Sequence, residues 1–167
     1  QEAISLSEAQ GLSPFILGEQ NDFDILAYEC VKNSMMEKFV HQRKGDKRLH
    51  CSNDKKNLPK KVYVLNFLGK KEHLEKLRLN LLQRFPVEIR TNIVREIYIE
   101  DCYSLEVRDH RADKSIMVYT LCHMLDTTVD NVVYFGDELN DLDMFEVVGK
   151  KIAVENAHES VKSKADE

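Results

Sequence analysis

The feature that most constrains this chain is the strand–helix rhythm of its last third. After residue 107, "DKSIMVYTLCHML" reads as a helix, "NVVYFG" as a strand, "LNDLDMFEVV" as a helix, "KKIAVE" as a strand and "AHESVKSKA" as a helix. Helices between strands are crossover connections, and crossovers build a parallel sheet. Val132, Val133, Tyr134 and Phe135 form an apolar run of strong strand propensity, and Gly136 allows a tight turn. Within residues 134–146, "YFGDELNDLDMFE", five acids and one amide then follow. In open α/β sheets ligands bind beyond the carboxyl ends of the strands, which is where Asp137 stands.

Helix capping explains part of this charge. Leu142, Phe145 and Val148 recur at helical spacing, so Asn140 and Asp141 fall at a helix start, where the macrodipole favours acid and Asn caps well. Capping does not explain Asp137, which faces the same crevice with no cation nearby in sequence. Two carboxylates four residues apart across a strand–helix turn make a seat for Mg²⁺, which takes oxygen ligands and keeps several waters. Glu138 and Asp143 read as solvated surface charges. An EF-hand loop is excluded, because a loop starting at Asp137 puts Leu139 at its third position and Leu142 where its glycine belongs.

The first part of the chain has a different pattern. "SPFILGE" and "DILAYE" read as strands or a hairpin joined through "QND", and "CVKNSMMEKFVHQ" as a helix with apolar Val31, Met35 and Phe39 at helical spacing and Met36 and Val40 beside them. "RKGDKRLHCSNDKKNLPKK" is basic and aperiodic, the pattern of an exposed loop. "KVYVLNFLG" is a strand, "KEHLEKLRLNLLQRF" an amphipathic helix ended by Pro86, and "EIYIE" and "YSLEV" two further strands. Strands this close together predict an antiparallel sheet with helices on one face, an α+β layer spanning residues 1–106. Residues 107–167 form the parallel α/β part.

Composition narrows the function. A net charge of −5 and a pI near 5.7 argue against a nucleic-acid binder that works through bulk electrostatics. No stretch reaches membrane-spanning length and nothing resembles a signal peptide, which predicts a cytoplasmic protein without membrane contact. Cys30, Cys51, Cys102 and Cys122 are scattered, which indicates reduced thiols and neither zinc site nor disulfide framework.

"GDELNDLDM", followed by "IAVENA" and "VKSKAD", resembles the fourth signature of the haloacid dehalogenase superfamily in its Cof-type, sugar-phosphatase-like branch. The likeness is specific over residues 103–167, and the earlier residues fit that branch's cap domain in layout. It implies a partial Rossmann-like parallel-sheet core with an α+β cap, and a Mg²⁺-dependent phosphatase acting on a small phosphorylated metabolite such as a sugar phosphate. Asp137 would bind Mg²⁺, Asp141 would support the metal or its waters, and Asn140 would contact phosphate. Lys114, in "LEVRDHRADKS", takes the place of the family's lysine, offsetting charge on the phosphoryl oxygens. A cation in a first helical turn opposes the dipole, and Asp113 can cap that helix without it. Asn156 in "ENA" is placed at a strand end near the pocket.

The family's reaction also needs an aspartate nucleophile in a D-x-D signature after a very apolar strand. The candidate, Asp22-Phe23-Asp24, follows "LGEQN" and precedes Ile25-Leu26, which is the wrong setting. The reading is therefore a cap joined to the C-terminal half of a core, inactive alone and self-associating through the exposed edges of its half-sheet. The alternatives are a phosphosugar mutase using the same chemistry, told apart by where the phosphate goes, and a non-catalytic binding module, favoured by the missing nucleophile.

Overall fold

The computed structural model describes residues 1–52 and 58–167, which divide into two units, Gln1–His110 and Arg111–Glu167. The expected loop over residues 43–61 therefore lies partly outside the described residues. Where it is described it contains a short strand.

Among its described residues, unit 1 is a six-stranded sheet with three helices. In chain order it contains α1 (Glu2–Glu8), β1 (Phe15–Gln20), β2 (Phe23–Tyr28), α2 (Ser34–Gln42), β3 (Leu49–Cys51), β4 (Lys61–Gly69), α3 (Lys71–Arg84), β5 (Ile89–Arg95) and β6 (Tyr103–Asp109). The strand order is β3-β2-β1-β4-β6-β5, antiparallel except for the β2–β3 pair. Asn21 and Asp22 both adopt positive φ, the backbone of a tight hairpin turn, so "QND" reverses the chain as its composition suggests.

Two details differ from the sequence reading. The strand expected at "EIYIE" lies earlier, at Ile89–Arg95, where Thr91 and Ile93 stand opposite Val107 and Leu105. The helices also do not share one face. Phe67 packs with Leu74, Leu77 and Leu81 of α3, whereas its neighbour Leu68 packs with Met36 and Phe39 of α2. Successive strand residues point to opposite faces, so α2 and α3 cover opposite sides of the sheet. Unit 1 extends to His110. The buried residues Leu105 and Val107 keep β6 paired with β4 and β5 through Arg108, and the β5 pairing runs on to Asp109.

Unit 2 is α/β and contains α4 (Lys114–Met124), β7 (Val133–Gly136), α5 (Leu142–Phe145), β8 (Lys150–Ala153) and α6 (Glu159–Lys162). β7 and β8 pair in parallel from Val133↔Lys150 to Gly136↔Ala153, the arrangement the rhythm of the sequence calls for. One small core joins Val118 and Cys122 of α4 to Met144 and Val148, and another joins Phe145 to Ala157 and Val161. The side of β7 bearing Val133 and Phe135 is open, with 50% and 62% of those residues exposed. Among the described residues, no helix is long and apolar enough to cross a membrane.

Candidate active site

The site is built on β7 and the turn that follows it. Tyr134 alternates with its exposed neighbours and points inward, its ring meeting Phe145 edge-on at 6.2 Å between centroids. Gly136 has negative φ, so its role is not the one its turn position suggests. A Cβ on Gly136 would stand 3.0 Å from the Phe145 ring and 3.1 Å from the Asp141 Cβ, so glycine lets these two side chains approach the strand end closely. A 3-10 turn over Leu139–Asp141 then carries Asp141 back beneath the strand end.

Asp141 is 4% exposed and all of its acceptor capacity is in use. Its Oδ1 accepts from the Lys114 ammonium at 2.7 Å and from the Tyr134 hydroxyl at 2.7 Å. Its Oδ2 accepts from the backbone N–H of Asp137 at 3.1 Å and of Glu138 at 3.3 Å. Two carboxylate oxygens offer about four lone-pair sites, and four donors fill them. Burial alone would raise the Asp141 carboxyl, but the Lys114 ammonium, the Tyr134 hydroxyl and the two backbone N–H groups outweigh it and hold the group well below the usual carboxylate range. The same contact to Asp141 raises Lys114, against the opposing effect of burial. Tyr134 is raised by burial and by its bond to Asp141, and the Lys114 ammonium works in the other direction.

Lys114 reaches this position because α4 begins at it. Asp113 caps the helix, accepting from the Ser115 backbone N–H at 2.9 Å and from its hydroxyl at 2.7 Å. The Lys114 side chain is 57% exposed. Of its three ammonium donors, one serves Asp141 and one the Tyr134 oxygen at 3.2 Å, leaving a third for an incoming oxygen.

Asp137 is exposed, and among the described residues no hydrogen bond or ion pair engages its carboxylate. Its carbonyl accepts from the His158 N–H at 2.8 Å, and the Gly136 carbonyl accepts from Val154 N–H at 3.2 Å. These two bonds tie the Val154–His158 loop to the end of β7. Asn156 lies on that loop and Asn140 in the 3-10 turn, both exposed and neither bonded to the Lys114–Asp141 pair. Glu138 is not a free surface charge, because it forms a reciprocal cap with Asp141 over that turn. Asp22 and Asp24 sit in the β1–β2 hairpin of unit 1, and Asp24 pairs in register with Glu19.

Sequence reasoning missed Tyr134. It was hidden in an apolar run, where an aromatic side chain reads as packing. The available signal was its hydroxyl, which needs a partner when half-buried.

A Mg²⁺ ion at this strand end would meet two unequal carboxylates. Asp137 fits as one oxygen ligand of an ion that keeps several waters, whereas Asp141 has no lone pair left to offer. Among the described residues no group of three His, Cys, Asp or Glu side chains could hold a metal by itself.

A family model for haloacid dehalogenase-like hydrolases matches residues 2–167, and the chain belongs to that family. A phosphoglycolate phosphatase of Methanosarcina mazei is 31% identical over 93 residues, 56% of this chain and 38% of that protein. The crystal structure of a haloacid dehalogenase-like hydrolase from Bacteroides thetaiotaomicron superposes with a TM-score of 0.74 at 25% identity, over 97% of this chain and 57% of that one. A sugar phosphatase of haloacid dehalogenase subclass IIB shares the fold, with a TM-score of 0.63 at 19% identity over 98% of this chain and 56% of that one. The chain thus spans well under two thirds of the length of these proteins.

Proposed function

We propose that this chain carries the lysine and metal-ligand side of a Mg²⁺-dependent phosphate monoester hydrolase whose substrate is a small phosphorylated metabolite. The observation that carries this reading is the Lys114 ammonium, fixed at 2.7 Å on a buried carboxylate beside the free carboxylate of Asp137 at the end of a parallel strand. A lysine held this way keeps its charge and presents its third donor in a constant direction. That is what the equatorial oxygens of a transferring phosphoryl group require.

Each residue has a separate task. Asp137 holds Mg²⁺, which when bound neutralises phosphoryl charge and orients the group for in-line attack. Asp141 orients Lys114 instead of binding the ion itself. Tyr134 bonds the same Asp141 oxygen as Lys114, and the backbone N–H groups of Asp137 and Glu138 hold the other oxygen, so the carboxylate cannot rotate. Asn140 and Asn156, exposed on the two segments flanking Asp137, contribute amide contacts to the substrate's phosphate. Asp22 and Asp24 are not the nucleophile, since a hairpin turn provides neither the apolar strand nor the strand end that the chemistry uses. The phosphoglycolate phosphatase relationship makes a small phosphorylated acid as good a substrate class as a sugar phosphate.

The test is release of inorganic phosphate by the full-length gene product from a panel of phosphoglycolate, hexose phosphates and pentose phosphates with Mg²⁺. Turnover of at least one ester is expected. Migration of the phosphate within a sugar without release would replace this reading with a mutase, and no reaction with any ester would remove it.

A further inference from the structure

The sheet of unit 1 ends on two edge strands of different kinds. β3 is three residues long, which blunts that edge, whereas β5 presents seven residues from Ile89 to Arg95 with neither proline nor bulge. The Glu96 N–H donates to the Cys102 carbonyl at 3.0 Å and the His110 N–H to the Glu88 carbonyl at 3.0 Å, so the even-numbered residues from Glu88 to Glu96 turn their backbone groups toward β6. In an antiparallel ladder the alternate residues then turn theirs outward. Ile89, Thr91, Ile93 and Arg95 therefore each offer an N–H and a C=O along the free edge.

The charges on this edge select what pairs with it. Ile89 and Ile93 pack on the α3 side, so Arg90 in the strand and Glu96 just past it both lie on the opposite face. Arg90 stands opposite Arg108 in register, and among the described residues no ion pair engages Arg90 or Glu96. An antiparallel second copy related by a two-fold axis at Ile93 answers both groups. Thr91 then exchanges backbone hydrogen bonds with the partner's Arg95, Arg90 meets the partner's Glu96, and Glu96 meets the partner's Arg90. Ile89 falls beside the partner's Ile97, a residue 80% exposed in the single chain. Moving the axis to Asn92 would instead set Glu88 against the partner's Glu96, and like charges directly opposite disfavour that register. A foreign strand would have to carry the same charges in the same order, which the chain's own copy does by symmetry.

We propose that the protein forms a two-fold dimer by joining β5 to β5 of a second copy in the register centred on Ile93. At about 3.4 Å per residue the seam is about 24 Å long, a small interface, which sets the dissociation constant in the micromolar range. The surface shares no residue with the Lys114–Asp141 site, so the proposal stands whether or not the phosphatase reading does.

Sedimentation equilibrium of the full-length gene product should give a monomer–dimer dissociation constant below about 100 μM. Arg90→Glu alone and Glu96→Arg alone should each raise it by about tenfold or more, and the two together should restore it to within about threefold. Within one chain the two positions stand about 20 Å apart along the strand, so such a rescue requires contact between copies. Amide hydrogen exchange at Thr91, Ile93 and Arg95 should slow as protein concentration rises, a readout that association through any other surface would not move. Circular dichroism checks that the variants fold, and if one does not, the concentration dependence of exchange in the unaltered protein decides. A dissociation constant above about 100 μM, a dimer indifferent to Arg90→Glu, failure of the double variant to restore it, or exchange at those three amides independent of concentration would each overturn the proposal.

Discussion

Replacing Asp141 by Asn separates an anchored carboxylate from an ordinary buried acid. The amide has nearly the same volume, so packing against Gly136 is preserved. With its oxygen toward Asp137 and Glu138 it still accepts their two backbone N–H groups, and its nitrogen then faces Tyr134 and Lys114. Tyr134 can turn its hydroxyl to accept, but Lys114 must leave. A hydrogen bond to a charged group contributes about 1.5–3 kcal/mol, and the Lys114 share is discounted because its ammonium end is largely in water. The net loss is about 2 kcal/mol, roughly 10 °C in the melting of a small unit.

The pH dependence adds a second readout. The folded-state pKa of Asp141 lies below its unfolded value of about 4, so its contribution to stability is complete above that pH and is lost as pH falls below it. The Asn variant should lack that acid-side loss while the parent chain keeps it. Urea unfolding of both proteins between pH 3 and 7, followed by NMR signals of β7 and α5, measures the difference. Equal stability within about 0.5 kcal/mol, with the same loss in acid, would refute the reasoning.

Three further outcomes follow from the same geometry. Tyr134→Phe removes one bond to Asp141 and should cost about 1 kcal/mol of stability in unit 2, read by urea unfolding; in the full-length enzyme it should lower kcat more than it raises KM. Isothermal titration of residues 1–167 with Mg²⁺ should show weak uptake at best, since Asp137 offers an unpartnered carboxylate whereas the acceptors of Asp141 are taken, and tight stoichiometric binding would contradict this. The same chain assayed alone on sugar phosphates with Mg²⁺ should release phosphate no faster than the buffer, because neither Lys114 nor a metal replaces an activated nucleophile. Robust turnover would direct attention back to Asp22 and Asp24.

The parallel pair β7–β8, the helix starting at Lys114 and its Asp113 cap were legible because period and capping residues are local properties. So was the β1–β2 hairpin, where Asn21 and Asp22 tolerate positive φ. What escaped the sequence depends on partners distant along the chain. The stretch "EIYIE" carries strand-forming residues, yet the sheet takes Ile89–Arg95 instead, because that segment is in register with Leu105 and Val107. The opposite placement of α2 and α3 turns on whether Phe67 or Leu68 meets each helix, which no single helix pattern encodes. At the site, the spacing of Asp137 and Asp141 suggested a shared metal. Their inequality became visible only with the lone pairs of Asp141 counted against Lys114, Tyr134 and two backbone donors.

The proposed action of Asp137 and Lys114 on a phosphoryl group is measured most directly by phosphate release from the full-length gene product against its Asp137→Asn and Lys114→Ala variants. Both residues are exposed, outside core packing, so circular dichroism should be unchanged while turnover falls by about a hundredfold or more. Asp137→Asn should also lose the dependence on Mg²⁺ concentration that the parent enzyme shows. Full turnover by either folded variant would contradict the account.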